Sequence, residues 1–307
     1  MSWRVLVLLS TYNGDKYIKE QLISLLNQKN VDVHVLIRDD ASKDNTVPII
    51  ESMQIKNSNI ILIKGDNVGC SNSFLCLMRI AMESYPNYDY YCFCDQDDIW
   101  LDDKIYSAIV TIDEKRKLNK FVLYLGAYQM VDAKLNPIVT RITPPRINLP
   151  SAIAMNSATG CTMLFNKELL HAIASKRPEN ILIHDYWTYL VCLSINGYVY
   201  YDNTPHILYR QHGSNVIGGR GDSFIKRWLI RISKLFKKGD YYKSQLANQL
   251  LHYYNEELVP DNKAFLEDVV SCNKLTSKFR LLKNKQFRCN SLDINLRLFG
   301  LILTGKL

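Results

Sequence analysis

Four apolar runs of strand length are separated by segments of helical periodicity, and this alternation constrains the fold more than any other feature of the chain. The runs are "RVLVLLST" from Arg4, "VHVLIRDD" from Val33, "NIILIKG" from Asn59 and "YYCFCDQDD" from Tyr90. They are continuously apolar, as expected of parallel strands buried on both faces. Between the first two, "DKYIKEQLISLLNQ" puts Ile18, Leu22, Leu25 and Leu26 on one helical stripe, with Asn13 or Asp15 placed to cap its first turn. "TVPIIESM" reads as a short helix with Asp44 or Asn45 as its cap, and "SFLCLMRIAMES" as a third helix. Strands joined by helices of this length imply right-handed crossovers and a parallel sheet, whose ligands bind beyond the carboxyl ends of the strands. Polar residues collect there: Thr11 and Asn13 after the first strand, Asp39 and Asp40 after the second, Asn67 and Gly69 after the third, and Asp95, Asp97 and Asp98 after the fourth.

The pattern is less regular further on. A helix is expected from Lys104 to about Leu118, then a strand "FVLYLGAYQMVD", a loop from Pro137 to Pro150, and strand into helix in "TGCTMLFNKELL". "HDYWTYLVCLSINGYVYYD" reads as helix then strand with Gly197 as the cap between them, and "HILYRQHGSNVIGG" as a separate last strand entering a Gly-rich loop. From Asp222 onward the pattern is helical.

Composition excludes disorder, since 47% of the 307 residues are hydrophobic and 22% charged. The net charge of +8 is unevenly placed: residues 1 to 219 hold 21 Lys and Arg against 22 Asp and Glu, whereas residues 220 to 307 hold 17 against 8. The eight cysteines show no zinc-type pairs, and several sit in apolar patterns as small hydrophobes, which favours a reducing, cytosolic setting. "MSWRVLVLLSTYNG" has too short an apolar run for a spanning helix and no small-residue cleavage site, so it reads as a first core strand. No other apolar run approaches the roughly 20 residues needed to cross a bilayer.

Residues two apart on a strand face the same way, so Asp95 and Asp97 project together, with Asp98 just beyond. Two such charges about 4 Å apart cost roughly 4 kcal/mol at an effective dielectric of 20, and a divalent cation would offset that cost. Mg²⁺ commonly takes one or two carboxylates and fills its other positions with water and phosphate oxygens. The plain alternative is that Asp97, Asp98, Asp102 and Asp103 cap the helix starting near Asp103. Asp39 and Asp40 have an equally plain one, a turn or helix cap. "STYNG" and "NVGCSNS" are each ordinary turns when taken alone.

Taken together and in this order, "STYNG", "RDDASKDNT", "NVGCSNSF", "FCDQDDIW", "TGCTMLFN", "HDYW" and "YRQHGSN" resemble the family 2 glycosyltransferases of GT-A fold, and within them bacterial rhamnosyltransferase-like members. The likeness covers roughly residues 4 to 219. It implies an α/β nucleotide-diphospho-sugar transferase fold with a mostly parallel central sheet and a catalytic domain over residues 1–219; the helical pattern and positive charge that follow set off a basic helical extension over 220–307. It also implies that Thr11, Tyr12 and Asn13 line the nucleotide, Asp39 bonds the base, and Asn67 and Gly69 lie beside it. Asp95 and Asp97 match the family's DxD pair, Asp95 near ribose or metal and Asp97 as principal ligand for Mg²⁺ or Mn²⁺. Gly160 and Cys161 fall beneath the donor sugar or acceptor, Asp185 matches the catalytic base, and Gln211 and His212 approach the diphosphate and metal. His184 departs from the Glu-Asp pair of many relatives but fits the rhamnosyltransferase-like group. From the residues alone, Asp185 is equally a helix N-cap and His212 an ordinary loop histidine.

The resemblance implies an inverting transfer from a nucleotide sugar, dTDP-rhamnose by analogy, to a polyprenyl-diphosphate-linked oligosaccharide in surface polysaccharide or capsule synthesis. A UDP-hexose or UDP-N-acetylhexosamine donor, or an inactive scaffold of the same fold, are the other readings. In "SFIKRWLIRISKLFKK" the residues Phe224, Trp228, Leu229, Ile232, Leu235 and Phe236 form an apolar helical face amid six basic residues. That is a plausible interfacial helix against an anionic membrane, placing the enzyme on the inner face of the cell membrane. Packing on the core or a homodimer interface are its alternatives. No recognisable nucleic-acid module accompanies the charge.

Overall fold

A computed structural model describes residues 2–139, 144–178, 183–212 and 242–307. The basic stretch from Ser223 to Lys238 and the Gly-rich loop after His212 lie outside the described residues.

The alternation of runs becomes an eight-stranded mixed sheet. Its strands are β1 (Trp3–Thr11), β2 (Val31–Asp39), β3 (Ile60–Lys64), β4 (Tyr90–Cys94), β5 (Ile99–Trp100), β6 (Val122–Val131), β7 (Leu164–Asn166) and β8 (Tyr198–Arg210), in the spatial order β3-β2-β1-β4-β7-β6-β8-β5. The pairs β1–β2, β1–β4, β2–β3 and β6–β8 are parallel, while β7 runs antiparallel to both β4 and β6. Two antiparallel steps cancel, so β6 and β8 point the same way as β4. Their carboxyl ends therefore open on the same edge as those of β1, β2 and β4, and this brings the end of β8 to the acidic end of β4.

The helices α1 (Ile18–Leu26), α2 (Thr46–Gln54), α3 (Cys70–Ser84) and α4 (Lys104–Arg116) fall where periodicity places them. Val5, Val7 and Leu9 of β1, with Leu22 and Leu25 of α1, are fully buried in one cluster that also takes in Val35 and Ile37 of β2. Neither Asn13 nor Asp15 caps α1. Tyr17 holds the cap position, and the Gly14 carbonyl accepts the Tyr17 and Ile18 amides at 3.0 Å each. At α2, Asn45 stands at the cap without a side-chain bond, and Asp44 instead accepts the Thr46 amide at 3.0 Å.

Two segments depart from the periodic reading. The runs "YVYYD" and "HILYR" form one strand, β8, which carries Pro205 through a register irregularity against Ala127 of β6. Proline donates no ladder hydrogen bond, and an irregularity is where a strand tolerates it. From the end of the expected Pro137–Pro150 loop, Leu149–Ala154 forms a short helix, α5, because the Asn148 side chain accepts the Ser151 amide at 2.8 Å and Pro150 occupies the first turn. Downstream lie the short helix α6 (Lys167–Ala174) and α7 (His184–Ser194).

The chain separates into two compact units. The first holds the sheet: described residues up to Pro144, with Ala158–Cys192 and Gly197–His212. The second holds Pro145–Ser157, Leu193–Asn196 and the described residues from Tyr242 onward, which form α8 (Tyr242–Tyr254), α9 (Pro260–Val270), α10 (Leu275–Lys283) and α11 (Leu292–Thr304). In this second unit the Lys243 ammonium donates to the Ile153 and Ala154 carbonyls at the end of α5. Burial lowers its pKa to about 8.

A buried ion pair secures the carboxyl end of β2 in the first unit. The Arg38 guanidinium donates to Asp40, to Ser73 Oγ at 3.2 Å and to the Asp66 carbonyl at 2.8 Å, while Asp40 also accepts the Val68 and Gly69 amides at 3.0 and 2.9 Å. Arg38→Ala leaves the Asp40 charge buried without its cation, a change that costs about 3–5 kcal/mol. Urea unfolding should show a loss of that order, whereas Lys56→Ala on the surface should stay within about 0.5 kcal/mol of the parent.

Candidate active site

The carboxyl edge of the sheet is assembled by contacts across strand ends. At the end of β1, Thr11 Oγ1 donates to Gln96 Oε1 at 2.7 Å and the Tyr12 amide donates to the same oxygen at 2.9 Å. Gln96 Nε2 returns a bond to the Tyr12 carbonyl at 3.2 Å, so the residue between Asp95 and Asp97 clamps the "STYNG" turn. Asn13 adopts φ 48°, and its side chain accepts the Lys43 amide at 2.8 Å while its own amide donates to Ser42 Oγ at 2.9 Å. Tyr12 is left 44% exposed, free to meet a ligand, whereas Thr11 is buried.

Asp39 is buried at the end of β2 and accepts both the Ser42 amide, at 2.9 Å, and the Ser42 hydroxyl. Asp40 is absorbed by the Arg38 pair and by the loop before α3. In that loop Asn67 is exposed, and Gly69 takes φ 81°, a left-handed conformation in which a side chain is strained although nothing would crowd a Cβ. The Gly69 amide is already given to Asp40, so this loop is set by the acid and not by a free amide nest.

The acidic side chains that follow β4 do not form one cluster with one role. Asp97 Oδ2 lies 2.8 Å from His212 Nε2, and the His212 ring stacks on Tyr17 with centroids 4.8 Å apart. Asp98 is 1% exposed: one oxygen accepts the Arg210 amide at 3.0 Å and the other has no hydrogen-bond partner. Neither residue caps α4, whose cap position is Asp103; the Asp103 carboxylate meets His206 Nδ1 at 3.0 Å. Ligand atoms of Asp95, Asp98 and Cys161 all lie within 4.8 Å of one another. Burial, followed by the charges of Asp97 and Asp185, pushes the Asp95 carboxyl up to about 7. Burial and the charges of Asp95 and Asp97 raise Asp98 well above the usual range.

Those shifts are what a bound cation would relieve, because positive charge favours the ionised form of each acid. The unpartnered Asp98 oxygen fits the same reading. The donor set matches a hard, oxygen-binding ion: Asp95 and Asp97 offer carboxylates, whereas burial holds the Cys161 thiol protonated, its pKa far above the ordinary value, and so a poor ligand.

Asp185 opens α7. Its carboxylate accepts the Gly160 amide at 2.8 Å and the Tyr186 amide at 2.5 Å, so both oxygens are aimed by backbone. Burial raises its pKa to about 6 against the opposing effect of those amides. His184 beside it is 3% exposed, stacks on Phe74 at 3.7 Å and meets Phe93 edge-on at 4.7 Å, with neither ring nitrogen bonded. Burial lowers its pKa to about 3, so it is a neutral imidazole. A Cβ on Gly160 would stand 3.1 Å from His184 Nε2 and 3.3 Å from Asp185 Cβ, which gives this glycine a steric reason.

Gln211 is half-buried, its amide donating to the Val131 carbonyl at 2.8 Å and its side chain to the Arg210 carbonyl at 3.4 Å. Three residues at this edge escape a reading of motifs. Arg210 donates to the Asp97 carbonyl at 2.9 Å, the Ala133 carbonyl at 3.0 Å and Glu20 at 2.6 Å. Gln96 is hidden as the spacer of the DxD pair. Cys70, first in α3, feels Asp95, Asp185, Asp40 and Asp97, and burial with those charges pushes its thiol up to about 12. Only the pairing of "YRQH" with "DQDD" across the sheet could have pointed to Arg210.

Residues 6–173 match the family model described as glycosyl transferase family 2. The dTDP-rhamnosyl transferase RfbG of Shigella flexneri is 32% identical over 228 residues, covering 68% of this chain and 73% of its own. The UDP-Glc:alpha-D-GlcNAc-diphosphoundecaprenol beta-1,3-glucosyltransferase WfaP of Escherichia coli is 25% identical over 73% of this chain and 83% of its own. In structure, residues 1–349 of S. aureus TarS in complex with UDP-GlcNAc superimpose with a TM-score of 0.56 at 17% identity, covering 99% of this chain and 92% of that one.

Gly160→Ala should push against His184 and Asp185 without emptying the core. We expect kcat/KM for sugar transfer to fall about tenfold to a hundredfold, since small misplacements of a reacting group cost that much. The thermal unfolding midpoint should move little, and the two readouts together check the steric role.

Proposed function

From a chain that belongs to glycosyltransferase family 2 and has the GT-A architecture, with a helical C-terminal region, we propose an inverting, metal-dependent transfer of rhamnose from dTDP-rhamnose to a lipid-linked oligosaccharide. The observation that carries this reading is the convergence at one sheet edge of Asp97 with His212, of Asp95, and of a buried Asp185 aimed by two amides.

In the proposed reaction an acceptor hydroxyl oxygen attacks the anomeric carbon as the bond from that carbon to the diphosphate oxygen breaks. The bonding pair leaves with the nucleoside diphosphate, and the hydroxyl proton passes to a carboxylate oxygen of Asp185. Attack opposite the leaving group inverts the configuration. A carboxylate is a weak base towards an alcohol, so the proton moves late, as charge develops on the sugar. Its raised pKa makes Asp185 a better base than an exposed aspartate while leaving it ionised at neutral pH. Mg²⁺ or Mn²⁺ held by Asp97 and Asp95, with His212 beside it, would place positive charge against the departing diphosphate. Tyr12, Asn13, Asn67 and Gln211 stand around the nucleotide, with Thr11, Asp39 and Gly69 shaping the turns that present them.

The rhamnose donor follows the likeness to the S. flexneri transferase, and the lipid-linked acceptor follows the acceptor in the name of the E. coli glucosyltransferase. Such an acceptor places the enzyme on the inner face of the cell membrane in bacterial surface polysaccharide synthesis. Among the described residues no helix is long and apolar enough to cross a membrane.

Calorimetry with dTDP-rhamnose, UDP-glucose, UDP-galactose and UDP-N-acetylhexosamines, with and without Mn²⁺ or Mg²⁺, tests donor and metal together. Binding of dTDP-rhamnose that needs the ion and is lost in Asp97→Ala is expected; binding of a UDP sugar alone would reassign the donor. Asp185→Asn should keep donor affinity and lower kcat by about 10²–10⁴-fold. Because the base must be ionised, and burial raises its pKa, the transfer rate should fall as pH drops through about 6 and level off above it. A pH–rate profile flat down to pH 5 would remove Asp185 from that role.

A further inference from the structure

The last two helices turn apolar side chains outward. On α11, Leu292, Leu296, Phe299 and Leu303 follow the spacing of one helical stripe; Leu292 is 76%, Leu296 58% and Leu303 61% exposed. The opposite face buries Leu298, Leu301 and Ile302. On α10, Leu275 and Phe279 are 83% and 59% exposed, and half-buried Leu282 continues their stripe. The two stripes border each other. The Arg288 side chain donates to the Leu282 carbonyl at 2.7 Å while its guanidinium sits 4.2 Å from the Phe299 ring centroid. The Lys278 ammonium ties the far end by donating to the Leu303 carbonyl at 2.8 Å.

Charge says what covers this face. Residues 272–307 hold eight Lys and Arg against a single acid, Asp293, and with Arg280 paired to Asp268 of α9 a net charge of +6 remains. A second copy of the chain docking here would oppose two strongly basic surfaces. The basic stretch from Phe224 to Lys238, with six Lys and Arg and no acid, would be repelled in the same way. Apolar side chains within a rim of Lys274, Lys283 and Lys285 instead complement an anionic bilayer, which takes the apolar groups at its acyl boundary and the cations at its headgroups.

We propose that the α10–α11 face is a membrane-docking surface for anionic phospholipid. It gives a place to the membrane contact proposed above, but it rests on the surface itself: vesicle binding is read without donor or acceptor, so its failure would leave the transferase reading intact.

The test is co-sedimentation of the full chain with vesicles of phosphatidylcholine, and of phosphatidylcholine with about one third phosphatidylglycerol. Two variants accompany it, Phe279→Ser/Leu296→Ser/Leu303→Ser and Lys274→Glu/Lys283→Glu/Lys285→Glu, all at exposed positions and none between residues 213 and 241. The expected result is binding to the anionic vesicles at least about tenfold stronger than to the neutral ones, reduced about tenfold or more in each variant, with circular dichroism and thermal unfolding unchanged. No binding by the parent, or binding unchanged in either variant, would overturn the proposal. A parent that is dimeric by light scattering and becomes monomeric in the apolar variant would also overturn it, by showing that a second copy covers the face.

Discussion

Arg210 is buried where four separate pieces of chain meet, and the arrangement of the site depends on satisfying its charge. Its side chain reaches carbonyls of Asp97 and Ala133 and the Glu20 carboxylate on α1, its amide bonds Asp98, and its guanidinium lies 4.5 Å from the Tyr17 ring centroid. A buried guanidinium is tolerated only when its donors are matched, so the end of β8 has one position open to it. That position sets His212, two residues on, over Asp97. The same Tyr17 ring that meets the guanidinium supports the His212 ring, so strand end, helix start and acidic motif are fixed together.

The acids at this edge are held under tension of a useful kind. Asp95, Asp98 and Asp185 all have raised pKa values because burial removes the water that would stabilise their charge, and Asp95 and Asp98 are raised further by neighbouring acids. Asp185 differs in its partners. Two amides favour its ionised form and leave its value near 6, low enough to be charged at neutral pH. Asp95 and Asp98 have acidic neighbours, which for Asp98 outweigh its one amide bond from Arg210, and that is the condition a cation would reverse. Hydrogen bonding thus distinguishes Asp185 from Asp95 and Asp98 along one edge of the sheet, and the proposed roles of base and cation ligand rest on that difference.

The helices beyond residue 242 obey different physics. Their inward faces pack around Leu250, Leu266 and Phe287, and Lys243 closes the end of α5 with two carbonyl bonds. The outward face of α10 and α11 keeps large apolar side chains in water amid a dense positive charge. The proposed chemistry at the sheet edge and the proposed membrane attachment therefore rest on different residues.

The sequence by itself determined the strand–helix alternation, because continuous apolar runs such as "RVLVLLST" and the stripe of Ile18, Leu22 and Leu25 are local patterns read at a fixed period. It also placed Asp95 and Asp97 at a strand end, Asp185 at a helix start and the basic excess in the tail. It did not show that β8 is one strand through Pro205, since that depends on an irregular pairing with β6, nor that Asp40 serves Arg38 and the loop before α3. Tertiary structure alone decided that Gln96 clamps Thr11 and Tyr12 from 84 residues or more away, that Arg210 joins Asp98 across 112, and that Asp97 faces His212 across 115. Those contacts arise from strand order, with β7 inserted antiparallel between β4 and β6. A local pattern records whether a strand is buried and says nothing of its neighbour.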